Sequence, residues 1–123
     1  MTELIPRLFI GNWHEARDSR DFYKITCAID SEFIGDQHFK LIDGPGNSPE
    51  LFASAVDAVC EAYKSPHKIL VHCVGGRSRS AAVIVASAAR ITGRPLCTIY
   101  DTLLGRHDCT RIHPYLSLLL LER

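Results

Sequence analysis

The stretch VHCVGGRSRS, residues 71–80, decides how this chain is read. It opens on the end of an apolar run, Lys68–His72, with the composition of a buried strand. It closes on residues 80–92, a strongly apolar segment of helical length that stops at Gly93. Between them stand one cysteine, two glycines and two arginines. A turn from the carboxyl end of a strand into the first turn of a helix aims backbone N–H groups at one spot. The helix dipole adds partial positive charge there. Gly75 and Gly76 permit positive φ and close approach of backbone to a ligand. Arg79 offers a planar fork to two oxygens of a phosphate. Val74, Gly75, Gly76, Arg77, Ser78 and Arg79 thus read as an anion cradle, with Cys73 at its floor.

A thiol held in such a field has its pKa lowered from about 8.5 to roughly 3.5–7.5. The thiolate then needs no separate base, attacks phosphorus directly and forms a thiophosphate. A buried cysteine by itself is ordinary packing, and paired arginines by themselves are a solvated face. The combination carries the catalytic reading: Cys73, a glycine three residues on and an arginine six residues on, all between strand and helix.

Outward from this loop, the pattern alternates. Residues 8–10 read as a short strand ending in the turn Gly11-Asn12, and residues 13–20 as a short polar helix. Residues 25–29 and 39–42 read as further strands, the second running into the loop Asp43-Gly44-Pro45-Gly46-Asn47. Ser48-Pro49 has the form of a helix start, and Phe52, Ala55, Val56, Val59, Ala62 and Tyr63 recur on one helical face until Ser65-Pro66. Residues 96–104 and Pro114–Leu121 read as the last two helices. Strands alternating with helices predict an α/β fold, a single domain over residues 1–123 with a short, mostly parallel central sheet flanked by helices.

The 123 residues suffice for one domain with a core, and 14 basic residues balance 14 acidic ones. This balance supplies no global field for nucleic acid or an anionic membrane, so neither is expected as a partner. The apolar runs 80–89 and 116–121 are too short to span a bilayer, and the second reads as a core helix or a partner-binding face. No basic, then apolar, leader opens the chain. The five cysteines are odd in number and lack Cys-x2-Cys spacing, and Cys27 and Cys60 fall in apolar periodic segments. Reduced thiols and a cytoplasmic setting are expected. Cys109 and His113, with His107 nearby, have no second ligand pair of matching spacing, so no metal is expected, and no cofactor. No feature assigns an oligomeric state.

Here the chain resembles the cysteine-based protein phosphatases of the small dual-specificity type, in a tyrosine-phosphatase-like fold. Their signature, His-Cys-x-x-Gly-x-x-Arg followed by Ser or Thr, stands as HCVGGRSRS at 72–80. RLFIGNWHEA (7–16), ITCAID (25–30) and FKLIDGPGNSPE (39–50) are similar to the family's opening strand and helix, its next strand and its general-acid segment. The resemblance implies Cys73 as nucleophile and Arg79 as phosphate ligand. It implies Asp43 as general acid, Ser80 as hydrogen-bond donor to the Cys73 sulfur, and His72 as a residue that holds the loop. A phosphorylated protein is the implied substrate, and phosphotyrosine the first expectation, with phosphoserine and phosphothreonine beside it. Val74 and Arg77 stand where the inositol-lipid phosphatases carry lysines, which disfavours a lipid substrate.

The residues alone also favour a carboxylic acid in this role. Ester cleavage at neutral pH must protonate a departing oxygen, and Asp43 follows a strand on the edge that bears Cys73. Asp30 also follows a strand and competes; Asp36 is a third candidate, and Asp before Gly is a common turn residue. Arg77 either grips a second anionic group or points to solvent. Two rival classes share the loop: a sulfurtransferase or arsenate reductase, and a phosphopeptide-binding module without turnover.

Overall fold

A computed structural model describes residues 1–121 of the chain. Residues 122 and 123 of the expected single domain lie outside the described residues. In order, the elements are β1 (Thr2–Ile5), β2 (Leu8–Gly11), α1 (Trp13–Asp18), β3 (Phe22–Thr26), β4 (Gln37–His38), α2 (Pro49–Tyr63), β5 (Lys68–His72), α3 (Arg79–Thr92), α4 (Leu96–Arg106) and α5 (Pro114–Leu121). One sheet has the order β1-β2-β5-β3-β4, antiparallel between β1 and β2 and parallel elsewhere. The α/β class with a mostly parallel sheet is as expected.

β5 is the central strand, and its last four residues are fully enclosed. Covered on both faces, it reads as a continuous apolar run rather than an alternation. Helix α3 packs on β2 and β5 and against α2, α4 and α5. Its residues Ala81 to Ala86 and Ala88 are therefore buried almost all round, and Gly93 ends it in the left-handed conformation, φ 73°. Ser48 caps α2 through the Leu51 N–H with Pro49 in the first turn, and Phe52, Ala55, Val56 and Val59 form its buried face. In α5, Leu116 and Leu120 join the core while Leu118 and Leu121 are exposed.

Two expectations need correction. Residues 39–42 are not a strand: the strand here is Gln37–His38, and Leu41 continues past it, buried, its carbonyl accepting from the Ile29 N–H and from Arg79. The apolar run reflects burial of Leu41, and two backbone bonds, from the Phe39 N–H to the Thr26 carbonyl and from the Ile29 N–H to the Leu41 carbonyl, stand in place of a continuous strand. The 25–29 strand lies earlier, at Phe22–Thr26, because its partner β5 ends at His72. The antiparallel strand β1 has no counterpart in the sequence reading.

The register sets the site. Gly11 of β2 and Thr26 of β3 both pair with His72 of β5. All three strands run the same way, so their exits share one edge, the usual place for ligands in open parallel sheets. On the β2 side, the Asn12 side chain accepts from the Glu15 N–H and the Glu15 carboxylate accepts from the Asn12 N–H, a capping box that fixes the turn into α1. Against this turn lies Gly76, with φ 69°. A Cβ on Gly76 would stand 2.8 Å from the Gly11 carbonyl oxygen, whereas one on Gly75 meets nothing nearer than 3.7 Å. Conformation and space therefore both demand glycine at 76 and neither does at 75.

Gly76→Ala should lose more than the roughly 1–2 kcal/mol of a left-handed alanine, because the wall is backbone and cannot yield. Gly75→Ala should leave the denaturation midpoint close to that of the parent. Equal midpoints for the two variants would contradict this account of the loop.

Candidate active site

Cys73 follows β5 directly, is 2% exposed, and has its Sγ 3.1 Å from the Ser80 Oγ in the first turn of α3. The loop between them is held from two sides. On the inner side, the Val74 carbonyl accepts from the Trp13 N–H at 3.2 Å, and Gly76 rests on the Gly11–Asn12 turn. On the outer side, the segment after α4 supplies three contacts. His107 Nε2 bonds the Gly76 carbonyl at 2.7 Å, the Arg111 N–H donates to the Arg77 carbonyl at 2.8 Å, and the His113 N–H donates to Ser78 Oγ at 2.8 Å. Because a carbonyl can only accept, His107 Nε2 carries the hydrogen and Nδ1 faces the Thr2 hydroxyl at 2.8 Å.

These bonds leave the inside of the loop open. Ser78 makes no side-chain cap on α3, since its hydroxyl is turned to His113. The first-turn amides of α3 have no helical acceptor and stay available to an anion. Arg77 is exposed, with its side chain folded over Gly75.

Arg79 is 7% exposed. Its Nη1 donates to Asp30 Oδ1 at 2.6 Å and to the Leu41 carbonyl at 3.2 Å. The hydrogen bond from Arg79 holds the Asp30 carboxyl below the usual carboxylate range. Among the described residues, no bond occupies the remaining nitrogens of this guanidinium, which leaves part of the fork for a ligand. Asp43 lies two residues beyond Leu41, exposed, in a loop pinned by Asn47. The Asn47 side chain accepts from the Ile42 N–H and donates to the Ile42 and Gly44 carbonyls. The sequence reading missed Asn47 and the 107–113 segment. Both act through backbone contacts between distant segments, and neither has a local spacing signal.

His72 is fully buried and lies behind Cys73. Its Nδ1 faces the Cys73 carbonyl at 3.3 Å, so Nδ1 carries the hydrogen. Its Nε2 lies 2.8 Å from Thr26 Oγ1, which also accepts from the Gly35 N–H at 2.8 Å. Burial lowers the His72 pKa from 6.5 to about 4, so at neutral pH the ring is uncharged and Nε2 accepts the Thr26 hydroxyl proton. This geometry holds the loop's first carbonyl and gives the ring no opening to act as a base. Among the described residues, no three His, Cys, Asp or Glu side chains are placed to hold a metal. His107 and Cys109 instead contact each other at 3.2 Å.

The His72 shift has a sign that can be measured. Below pH 6.5 the unfolded ring takes up a proton that the folded ring refuses until about pH 4. Stability therefore falls as pH is lowered through that window, by on the order of 3 kcal/mol for this group. Urea midpoints of His72→Asn should fall less steeply than wild type between those pH values, and parallel slopes would contradict the burial of a neutral ring.

No family model matches the chain. Dual specificity protein phosphatase 22 of Xenopus tropicalis is 29% identical over 106 residues, covering 75% of this chain and 49% of the relative. The human protein of the same name is 28% identical over 103 residues, covering 75% and 56%. The chain thus spans about half the length of the curated relatives it matches. Among solved structures, human DUSP28 superposes with a TM-score of 0.81 at 19% identity, over 99% of this chain and 94% of that one. The human tyrosine phosphatase-like serine/threonine/tyrosine-interacting protein does so with a TM-score of 0.81 at 21% identity, over 99% and 93%. No helix among the described residues is long and apolar enough to cross a membrane. With its strand–loop–helix built around Cys73 and Arg79, the chain is similar in sequence to dual specificity protein phosphatase 22 and shares the fold of the solved phosphatase-like structures.

Proposed function

We propose that this domain hydrolyses phosphate monoesters on protein side chains, phosphotyrosine first, with phosphoserine and phosphothreonine as further substrates. The observation that carries the reading is Cys73 Sγ, enclosed at the floor of an amide-lined loop and 3.1 Å from the Ser80 hydroxyl. The phosphoryl oxygens sit on the loop amides from Val74 to Arg79 and on the free side of the Arg79 fork. The Cys73 thiolate attacks phosphorus, the ester P–O bond breaks, and Asp43 gives its proton to the departing oxygen. Asp43, now a carboxylate, takes a proton from water as that water attacks the thiophosphate. Phosphate leaves, and Ser80 donates its hydroxyl hydrogen bond to the departing thiolate.

Asp43 is preferred to Asp30 on physical grounds. A carboxylate bonded to Arg79 and held below its usual pKa is a poor proton donor at neutral pH. Asp43 has no such partner among the described residues and stands free at the rim. With no disulfide among the described residues, the five cysteines fit a reducing compartment, the cytoplasm. The neighbour named as a phosphatase-like interacting protein keeps a phosphopeptide-binding module in view, because the shared fold does not separate the two readings. A measurable rate on a simple aryl phosphate, abolished in Cys73→Ser, decides for the enzyme. Thiosulfate and arsenate in the same assay test the sulfurtransferase and arsenate reductase.

Asp43→Asn should lower the rate on phosphotyrosine peptide by about 10²–10⁴ and flatten the basic limb of the pH–rate profile. An activated ester with an acidic phenol should suffer less, since its leaving group needs no proton. Asp30→Asn should keep the basic limb while weakening phosphate binding, as Arg79 loses its anchor. Loss of the limb in Asp30→Asn, with retention in Asp43→Asn, would move the acid to the other loop.

A further inference from the structure

Three carbonyls of the loop after Cys73 have partners outside it. The Val74 carbonyl accepts from the Trp13 N–H at 3.2 Å, the Gly76 carbonyl from His107 Nε2 at 2.7 Å, and the Arg77 carbonyl from the Arg111 N–H at 2.8 Å. A trans peptide is a plane whose C=O and N–H point in opposite directions. Each carbonyl turned outward therefore turns the next residue's N–H the other way, toward the inside of the loop. The three bonds thus aim the amides of Gly75, Arg77 and Ser78. Two of the outer donors are backbone N–H groups, which every residue but proline supplies. The third is a side chain, and it holds the plane that most needs holding. Gly76 has no Cβ and sits at φ 69°, so little in its own sterics resists rotation of the Gly76–Arg77 peptide. Reversal of that plane would turn a carbonyl oxygen toward the anion in place of an N–H.

We propose that His107 is a positioning residue of the phosphate cradle: its Nε2–H holds the Gly76–Arg77 peptide with the amide facing the anion, and Thr2 keeps the ring in the tautomer that can do so. The proposal rests on the reading of the loop as a phosphate site and deepens it by naming what aims one of its amides. A neutral imidazole carries one hydrogen, and only the tautomer with that hydrogen on Nε2 can donate to Gly76. The Thr2 hydroxyl of β1, 2.8 Å from Nδ1, donates to that nitrogen and fixes this tautomer. Cys109 Sγ stands 3.2 Å from the same Nε2. It is farther away than the Gly76 carbonyl and a weaker acceptor, so it takes the smaller share of the hydrogen.

The part played by the ring is separable from that of the segment that carries it. Without the imidazole, the His107 N–H still donates to the Leu103 carbonyl at 2.7 Å. The His107 carbonyl still accepts from the Thr110 N–H at 3.0 Å and from the Thr110 hydroxyl at 2.7 Å. The bonds from the Arg111 and His113 N–H groups to the loop do not involve the ring either. Loss of the imidazole frees one peptide plane and leaves the rest of the cradle tied. Removing an anion-hole donor outright costs about 10²–10³ in rate, and a donor left free to turn should cost less, about tenfold.

The test titrates the isotope-labelled chain with inorganic phosphate, reading amide resonances and calorimetric affinity, beside steady-state rates on a phosphotyrosine peptide. In the parent, phosphate should move the Gly75, Arg77 and Ser78 amide protons downfield. His107→Ala should lose the Arg77 shift and keep the other two, bind phosphate about tenfold more weakly, and lose about tenfold in kcat/KM. His107→Gln, whose amide nitrogen can stand in for Nε2, should restore most of all three readings. Cys109→Ala, which removes only the minor partner of that hydrogen, should bind phosphate as the parent does. Should His107→Ala fail to fold, Thr2→Val carries the test, since it releases the tautomer and should weaken the Arg77 shift while keeping the other two. A retained Arg77 shift in His107→Ala overturns the proposal, as does a Gln variant no better than Ala, or a Cys109→Ala loss equal to that of His107→Ala. A parent that binds phosphate through the three amides, with the Arg77 shift lost in His107→Ala, but turns over no ester supports the positioning role and ends the phosphatase reading. Turnover with phosphate affinity unchanged in His107→Ala does the reverse.

Discussion

The site depends on the parallel pairing of β5 between β2 and β3. Because Gly11, His72 and Thr26 stand at one level of the sheet, three chain exits meet at one edge. The Gly11–Asn12 turn becomes one wall of the loop, and Asp30 on the β3 side reaches Arg79. Buried His72 then has two jobs that a solvated histidine could not do. It holds the Cys73 carbonyl with one nitrogen and ties β5 to β3 through Thr26 with the other. Shift the register by one residue and every side chain changes face, so Cys73 would no longer sit at the floor.

Charge at the site is arranged around Arg79. The guanidinium is almost wholly enclosed, and an unpaired buried cation is costly. Asp30 and the Leu41 carbonyl meet that need from one side and orient the fork. Since Asp30 remains largely exposed, with 62% of its side chain accessible, the pair is screened and its worth lies more in orientation than in stability. The guanidinium nitrogens that Asp30 and Leu41 do not engage are, in the proposed reading, those that would meet a phosphate. Outside, the 107–113 segment binds three successive residues of the loop and holds it against collapse when no anion fills it.

Legibility in the sequence followed the range of the interactions. VHCVGGRSRS was readable because strand, turn and helix start are local and contiguous, and Ser48-Pro49 and Gly93 gave their caps for the same reason. Gly76 was legible as a glycine that matters, though its partner, the Gly11 carbonyl, was not. Residues 39–42 misled because burial of Leu41 imitates a strand, while β1 was too short and too polar at Glu3 to show a period. The Arg79–Asp30 pair, the Asn47 clasp and the His107–Gly76 bond carry no periodicity, since each follows from tertiary placement.

The central claim is that a phosphoryl group is held covalently on Cys73, and trapping that species tests it most directly. Ser80→Ala removes the hydroxyl 3.1 Å from the sulfur, so release of the thiolate should slow and the intermediate should accumulate. The chain is mixed with phosphotyrosine peptide, quenched within milliseconds and digested, and peptide 69–77 is weighed. The mechanism predicts that this peptide carries one added phosphoryl group on Cys73, in proportion to the enzyme and gone on longer incubation. A burst of product with peptide 69–77 unmodified, or phosphorylation on another residue, would contradict it.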